Sequence, residues 1–327
     1  MPADPTTFTV VAAEAGHTLA KVLRSRLGGP SWGEVRKLIA ARRVQVGDAI
    51  CSDEARRLKE NEAVVLLDHP KPLPRTAHPE RLVVRHLDEH VVVVEKPSGV
   101  NTVRHPAELE WSEERRELDP TLQDLTQWAV AHQLGREARD IPRLRIVHRL
   151  DKETSGLVVF ARSVLAERAL GLQFRKHTVV RRYLAVVPGI LSAQTIRSNL
   201  VEDRGDGRRG STRLPDVGKE AVTHVTVEER LPGYTLLSCR LETGRTHQIR
   251  IHLSEAGHPV CGDKVYVRRP DGTTFEDRSG ATRLALHATE LGFAHPVTRE
   301  ALHWAMPLPA DMRKLVDRLR AGPVPPG

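Results

Sequence analysis

The sequence predicts a mixed α/β protein of the α+β kind: a small helix-and-hairpin unit, then a larger unit of alternating strands and helices. Three observations carry that reading. Residues 18–67 hold two short segments with helical apolar spacing and two that alternate like strands. Residues 69–74, His-Pro-Lys-Pro-Leu-Pro, are too proline-dense for a helix or an interior strand. Valine-rich runs then alternate with helical patterns through the rest of the chain. On those signals residues 1–67 form the first unit, 68–80 a spacer, 81–320 the second unit and 321–327 a flexible tail.

In the first unit, Leu19, Val22, Leu23 and Leu27 mark one helix, and Ser31 is placed to cap a second carrying Val35, Leu38 and Ile39. Residues 42–48 alternate and turn like a hairpin strand, and 62–67 supply another. Arg36, Lys37, Arg42 and Arg43, followed by Arg56, Arg57 and Lys59, form a dense basic stripe, which suits phosphate contact better than a merely solvated face. In the second unit, 82–84 and 91–94 read as strands, and Lys96 stands at a strand end in a Lys-Pro-Ser-Gly turn. Residues 108–117 read as an acidic, solvated excursion. Thr121 opens a helix with Leu122, Leu125 and Ala129 on one face, and Ser163 caps another with Leu165, Ala169 and Leu172 on its buried side. Residues 202–215, rich in Gly and Arg, read as a mobile basic loop, and 311–319 as the last helix.

Composition narrows the class. At 39% hydrophobic and 28% charged, the 327-residue chain can build a core and does not read as disordered. Cys51, Cys239 and Cys261 are odd in number and far apart, which suits free thiols in a reducing compartment. The first residues carry no basic and apolar leader, and no apolar run reaches the length of a membrane span, so a cytoplasmic protein is expected. The net charge of +8 attracts polyanions, yet many proteins this basic bind no nucleic acid, and charge leaves both readings open.

The most informative run is 148–157, His-Arg-Leu-Asp-Lys-Glu-Thr-Ser-Gly-Leu. It sets one carboxylate, Asp151, on a loop just ahead of the apolar strand 157–160, at the lip of a sheet where reacting groups are common. An Asp there can equally accept hydrogen bonds from the turn amides and only shape the loop. Three other segments are rich in reactive side chains: the strand 181–187, which points Tyr183 and Ala185 to one face; 241–252, which turns at Thr-Gly and runs on as a basic helix or strand; and the turn 257–263. Sixteen histidines invite a metal reading, but no His-Glu-x-x-His or paired Cys-x-x-Cys occurs, and His258 with Cys261 is an isolated pair, so no metal is expected.

The centre of the first unit, Leu-Ile-Ala-Ala-Arg-Arg-Val-Gln-Val-Gly, resembles the S4 RNA-binding domain, although Thr18 and Trp32 stand where Arg is usual and Val46-Gly47-Asp48 replaces Val-Asn-Gly. The second unit, from about residue 82 to about 319, is similar to the RluA-type family of pseudouridine synthases. The run 148–157 matches that family's signature and Gly-Arg-Thr-His-Gln-Ile-Arg, 244–250, its second; blocks at 96–99, 257–259, 262–263 and 286–288 fall in the family's order. The resemblance implies a large, mostly antiparallel mixed sheet flanked by helices and loops. It implies isomerisation of a uridine in structured RNA to pseudouridine, with no cofactor and no metal. Asp151 would be the nucleophile, ion-paired to Arg245, with Tyr183 packed on the target base and Leu150 and Ile249 as pocket walls. The base would leave its stack, and Arg149 would fill the gap or hold a phosphate. Arg149, His148 and Lys96 thus join Arg36, Lys37, Arg42 and Arg43 as expected RNA-binding residues. The implied partner is RNA, ribosomal large-subunit RNA before transfer RNA, with no membrane and a monomeric enzyme. A metal-dependent phosphoesterase using Asp151 and a catalytically silent RNA-binding protein are the competing readings.

Overall fold

A computed structural model describes residues 6–322 apart from 42, 48, 52, 69–81, 105–107, 109–115, 117–118, 205–207, 213, 215 and 268–272. The expected spacer, Asp68 excepted, Arg42 of the basic stripe, and most of the 108–117 excursion lie outside those residues. The chain forms two compact units, Met1–Thr76 and Ala77–Gly327.

The first unit packs helices α1 (Leu19–Arg26) and α2 (Trp32–Ala40) with strands β1 (Thr6–Thr9), β2 (Val44–Val46), β3 (Ala49–Ile50) and β4 (Ala63–Leu66). The strands form an antiparallel sheet in the order β1-β4-β2-β3. At the start of α2, Ser31 Oγ accepts from Glu34 N–H and the Glu34 carboxylate accepts from Ser31 N–H, so two free helical amides are satisfied reciprocally. Leu19, Val22, Leu23, Val35, Ile39, Val44, Val46 and Val64 close the core.

The second unit is built on an eleven-stranded mixed sheet. Its strands are β5 (Val84–Leu87), β6 (Val91–Lys96), β7 (Arg145–Ile146), β8 (Ser155–Ala161), β9 (Val180–Pro188), β10 (Gln194–Val201), β11 (Gly210–Thr212), β12 (Lys219–Leu231), β13 (Tyr234–Leu241), β14 (Leu286–Ala294) and β15 (Ala301–Ala305). The order is β11-β10-β12-β13-β9-β14-β8-β6-β5, with β15 on β14 and β7 on β8. The pairing is antiparallel throughout except where β8 runs parallel to β14. Helices α3 (Leu122–Gln133), α4 (Val164–Arg175), α5 (Gln248–Glu255) and α6 (Ala310–Ala321) accompany it. Alternation explains why the valine runs are apolar at every position. Val92, Val94, Val158 and Phe160 face one core cluster with Leu122 and Val130 of α3, whereas Val91, Val93, Leu157 and Val159 face another with Ala166 and Leu170 of α4.

Two expectations are corrected. Within 202–215, Gly210–Thr212 is a strand paired to β10; a three-residue polar edge strand carries no apolar alternation to reveal it. On α4 the buried side is Ala166 and Leu170, which pack in the core with Leu157 and Val159, while Leu165 and Leu172 are 54% and 45% exposed; both faces of this helix carry Ala and Leu, so apolar spacing alone does not fix its phase.

The parallel contact of β8 with β14 anchors the downstream end of the loop that carries Asp151. It pairs Ser155 with His287 and Gly156 with Ala288. Gly156 has φ of +128°, and a Cβ there would lie 2.2 Å from the Ala288 carbonyl oxygen, so only glycine lets the two strands close at this point.

Candidate active site

Asp151 sits on the loop between β7 and β8, and neighbours from β6 and the turn after it brace that loop. Thr102 Oγ1 donates to the Leu150 carbonyl at 2.7 Å and accepts from Leu150 N–H at 3.1 Å. Gly99 N–H donates to the Lys152 carbonyl, and Ser98 Oγ to the Glu153 carbonyl. Lys96, expected as an RNA contact, is instead 2% exposed. Its ammonium donates to the carbonyls of Pro97, Lys152 and Thr154 at 3.0, 2.8 and 2.8 Å, so each of its three protons has an acceptor and none is left for a phosphate. Burial pushes its pKa down to about 7, against the opposing charges of Glu153 and Asp151. Lys96 is a brace of the Asp151 loop.

A cavity of about 620 Å³ opens over Asp151 and brings together Arg149, Leu150, Tyr183, Arg245, His247, Ile249 and Arg250. Leu150 and Ile249 are buried along its wall. Tyr183, in the middle of β9, turns its ring to the cavity; burial raises its pKa, and its hydroxyl has no hydrogen-bond partner among the described residues. Arg149 is exposed at the rim, with no hydrogen bond or ion pair among the described residues.

The guanidinium that meets Asp151 belongs to Arg250, not to Arg245. Arg250 Nη1 lies 3.4 Å from Asp151 Oδ2. Arg245 Nε donates to the Glu220 carbonyl at 2.9 Å. Arg245 precedes α5 on the turn, whereas Arg250 lies one turn inside the helix, on the side that faces the β8 loop. Arg250 is held from behind by Asp263 through Nε at 2.7 Å and Nη2 at 2.9 Å. The Asp263 side chain is 0% exposed. Burial pushes its carboxyl up, but the Arg250 bonds and charge outweigh this and hold it below the usual value. His247, the residue before α5, places Nε2 3.8 Å from Asp151 Oδ1. The roles of Asp263, Arg250 and His247 escaped the sequence reading, although all three lie inside motif blocks; Tyr266 lies outside every block and carried no signal.

His148 is corrected as an RNA contact. Its ring stacks on Phe174 at 4.7 Å, and its Nε2 accepts from Val159 N–H at 3.1 Å. Burial, with the Arg181 charge beside it, lowers its pKa to about 3, so it offers no cation to a phosphate. In the first unit, Arg36 is paired with Glu54 at 3.1 Å, Arg43 Nε donates to the Leu67 carbonyl at 2.8 Å, and Lys37 is exposed. Among the described residues no group of three or more His, Cys, Asp and Glu side chains is placed to hold a metal ion, and no helix is long and apolar enough to cross a membrane.

Comparison with known proteins points to the same segment. Residues 90–255 match the family described as RNA pseudouridylate synthase. The chain is 40% identical over 246 residues to the ribosomal large subunit pseudouridine synthase D of Neisseria meningitidis serogroup A, covering 74% of this chain but only 62% of that protein, less than two thirds of its length. The protein of the same name from Zymomonas mobilis is 35% identical over 326 residues, 98% of each chain. Among solved structures, human RNA pseudouridylate synthase domain containing 4 superposes with a TM-score of 0.57 at 25% identity, over 72% of this chain and 92% of that one.

Proposed function

The chain belongs to the RluA-type family of RNA pseudouridine synthases, and from that membership we propose that it isomerises specific uridines in large-subunit ribosomal RNA, with Asp151 as the nucleophile. In such a reaction the N1–C1′ bond breaks, the uracil turns within the site, and C5 joins C1′; the C5 proton leaves and N1 gains one. No redox change occurs, so side chains suffice. The observation that carries the proposal is the placement of Asp151 at the floor of a cavity wide enough for a nucleotide, with Arg250 on one carboxylate oxygen and the Tyr183 ring on the cavity wall.

Each residue then has a part. Asp151 attacks as a carboxylate with the Arg250 guanidinium beside it. Tyr183, Leu150 and Ile249 give the flipped base an apolar slot and one hydroxyl. Arg149, unpartnered at the rim, fills the space that the base vacates or holds its phosphate. Ribosomal RNA is favoured by the names of the relatives and by the S4-like sequence of the first unit. Pseudouridine mapping of total RNA from cells with and without the gene tests the proposal directly. One or a few sites in large-subunit ribosomal RNA should disappear with the gene; loss confined to transfer RNA, or no loss at all, would overturn the assignment.

The first unit is proposed to be an S4-like RNA grip that works through Lys37 and its basic neighbours. Deleting residues 1–67 is expected to weaken RNA binding and to flatten the dependence of log affinity on log salt, because fewer phosphates release counterions. Titrations at several salt concentrations measure this, and an unchanged slope would remove the unit from RNA contact.

A further inference from the structure

Asp151 has a donor near each of its oxygens, and only one belongs to an ion pair. Arg250 Nη1 stands 3.4 Å from Oδ2, and His247 Nε2 stands 3.8 Å from Oδ1. A single donor leaves the carboxylate plane free to rotate; two donors on two oxygens fix it. Both donors also touch one residue behind them, although Asp263 is what holds Arg250. The Tyr266 hydroxyl lies 2.8 Å from His247 Nδ1, and the Arg250 guanidinium lies over the Tyr266 ring, 5.0 Å from its centroid. Tyr266 is itself pinned, since Asp263 Oδ1 accepts its backbone N–H at 3.1 Å.

This arrangement selects a tautomer. A carboxylate only accepts, so Nε2 must carry the proton that faces Asp151. In a neutral imidazole Nδ1 is then the acceptor, and it takes the Tyr266 O–H. Burial lowers the His247 pKa, against Asp151 and Asp263 which raise it and alongside Arg250 and Arg209 which lower it further, in keeping with a neutral ring. The backbone supports the same view. His247 has φ of 59°, the left-handed region that side-chain-bearing residues seldom adopt, and such strain is kept where a side chain has to be aimed.

We propose that His247 is a positioning residue for Asp151, donating through Nε2–H to Oδ1 once RNA closes the cavity, and that the Tyr266 hydroxyl holds it in that tautomer. Nε2 and Oδ1 are 3.8 Å apart, and contacts of this kind tighten to hydrogen bonds when substrate excludes water. The inference rests on Asp151 being the reacting carboxylate.

Two substitutions separate this from a structural role. His247→Asn suits the left-handed backbone and keeps an amide near Nδ1 for Tyr266, but it withdraws the donor from Asp151. His247→Gln suits that backbone less well, yet its amide reaches the place of Nε2. Turnover is read as tritium release from RNA of gene-deleted cells labelled with 5-tritiated uridine, because the C5 hydrogen leaves in the reaction. Asn is expected to lower kcat by about 10- to 100-fold, with KM held within about twofold, while Gln retains most of kcat despite a lower urea midpoint. Tyr266→Phe should cost kcat in the native background and nothing further in the His247→Asn background. A His247→Asn enzyme with full kcat, or a Gln enzyme no better than Asn, would overturn the proposal. So would an undiminished effect of Tyr266→Phe in the double variant. If Asp151→Asn is itself active, the nucleophile assignment falls; if it is inactive while His247→Asn is fully active, only the role of His247 falls.

Discussion

Asp151→Asn is expected to abolish pseudouridine formation while RNA affinity stays within about twofold of the native protein. Asparagine has the shape of aspartate but neither its charge nor its nucleophilicity, and removal of a nucleophile costs on the order of 10⁴-fold or more in turnover. The substitution should leave the fold alone. The 150–154 loop is held by Lys96, Thr102, Ser98 and Gly99 through main-chain groups and not through the Asp151 carboxylate. Arg250 keeps its bidentate partner Asp263, so no buried charge is stranded. Affinity is expected to come mainly from phosphate contacts over the basic surface, which one change inside the cavity would not touch. Tritium release and filter binding on the same preparation give both numbers. Normal turnover by the purified variant would remove Asp151 from the chemistry. Loss of binding in parallel with turnover would mean that the loop, and not the carboxylate, had been damaged.

Much of this site was legible in the sequence, and the failures have physical causes. Asp151, Tyr183, Leu150 and Ile249 were marked by the family resemblance of the segments that hold them, since residue type and spacing alone left a turn aspartate and a core tyrosine as open readings; the structure lines one cavity with all four. The cation for Asp151 could not be fixed locally. The block 244–250 offers Arg245, His247 and Arg250, and the choice depends on where α5 begins: with His247 at its cap, Arg250 turns inward and Arg245 is left on the preceding turn beside Glu220. Asp263 carries a motif position and a turn in the sequence but no partner, because Arg250 is thirteen residues away across a tertiary contact. Lys96 misled for a related reason. A lysine at a strand end ordinarily reaches solvent, and its burial depends on carbonyls from a loop more than fifty residues later. The small-unit helices were legible because Leu19, Val22 and Leu23 recur at helical spacing and Ser31 caps the second by a side-chain bond with a sequence signature, whereas the Thr18 cap of the first went unread.

Arg250→Met tests the bridge that carries this constellation, and its effect on stability should depend on pH in a definite direction. Methionine fills much of the space of the arginine stem but leaves the fully buried Asp263 without a counter-charge, a loss of about 3–5 kcal/mol near neutrality. In the native protein Arg250 holds the Asp263 carboxyl below its ordinary value. Its contribution to stability is therefore present above the ordinary carboxylate range and is lost as the pH falls toward the folded value. In the variant only burial and the backbone N–H groups of Val265 and Tyr266 act on it, and burial, the largest influence there, raises the value. The buried carboxyl then binds a proton more readily than the unfolded chain does, so the variant loses stability as the pH rises through that raised value. The gap between native and variant protein should be widest at about pH 8 and should narrow at about pH 5, where a protonated Asp263 is cheap to bury. Urea titrations at the two pH values measure it. An equal gap at both would mean that Asp263 stays charged without Arg250, and the ion pair would then not be what holds either group. Turnover should fall by about 100-fold or more in the same variant, because the guanidinium beside Asp151 goes with the bridge.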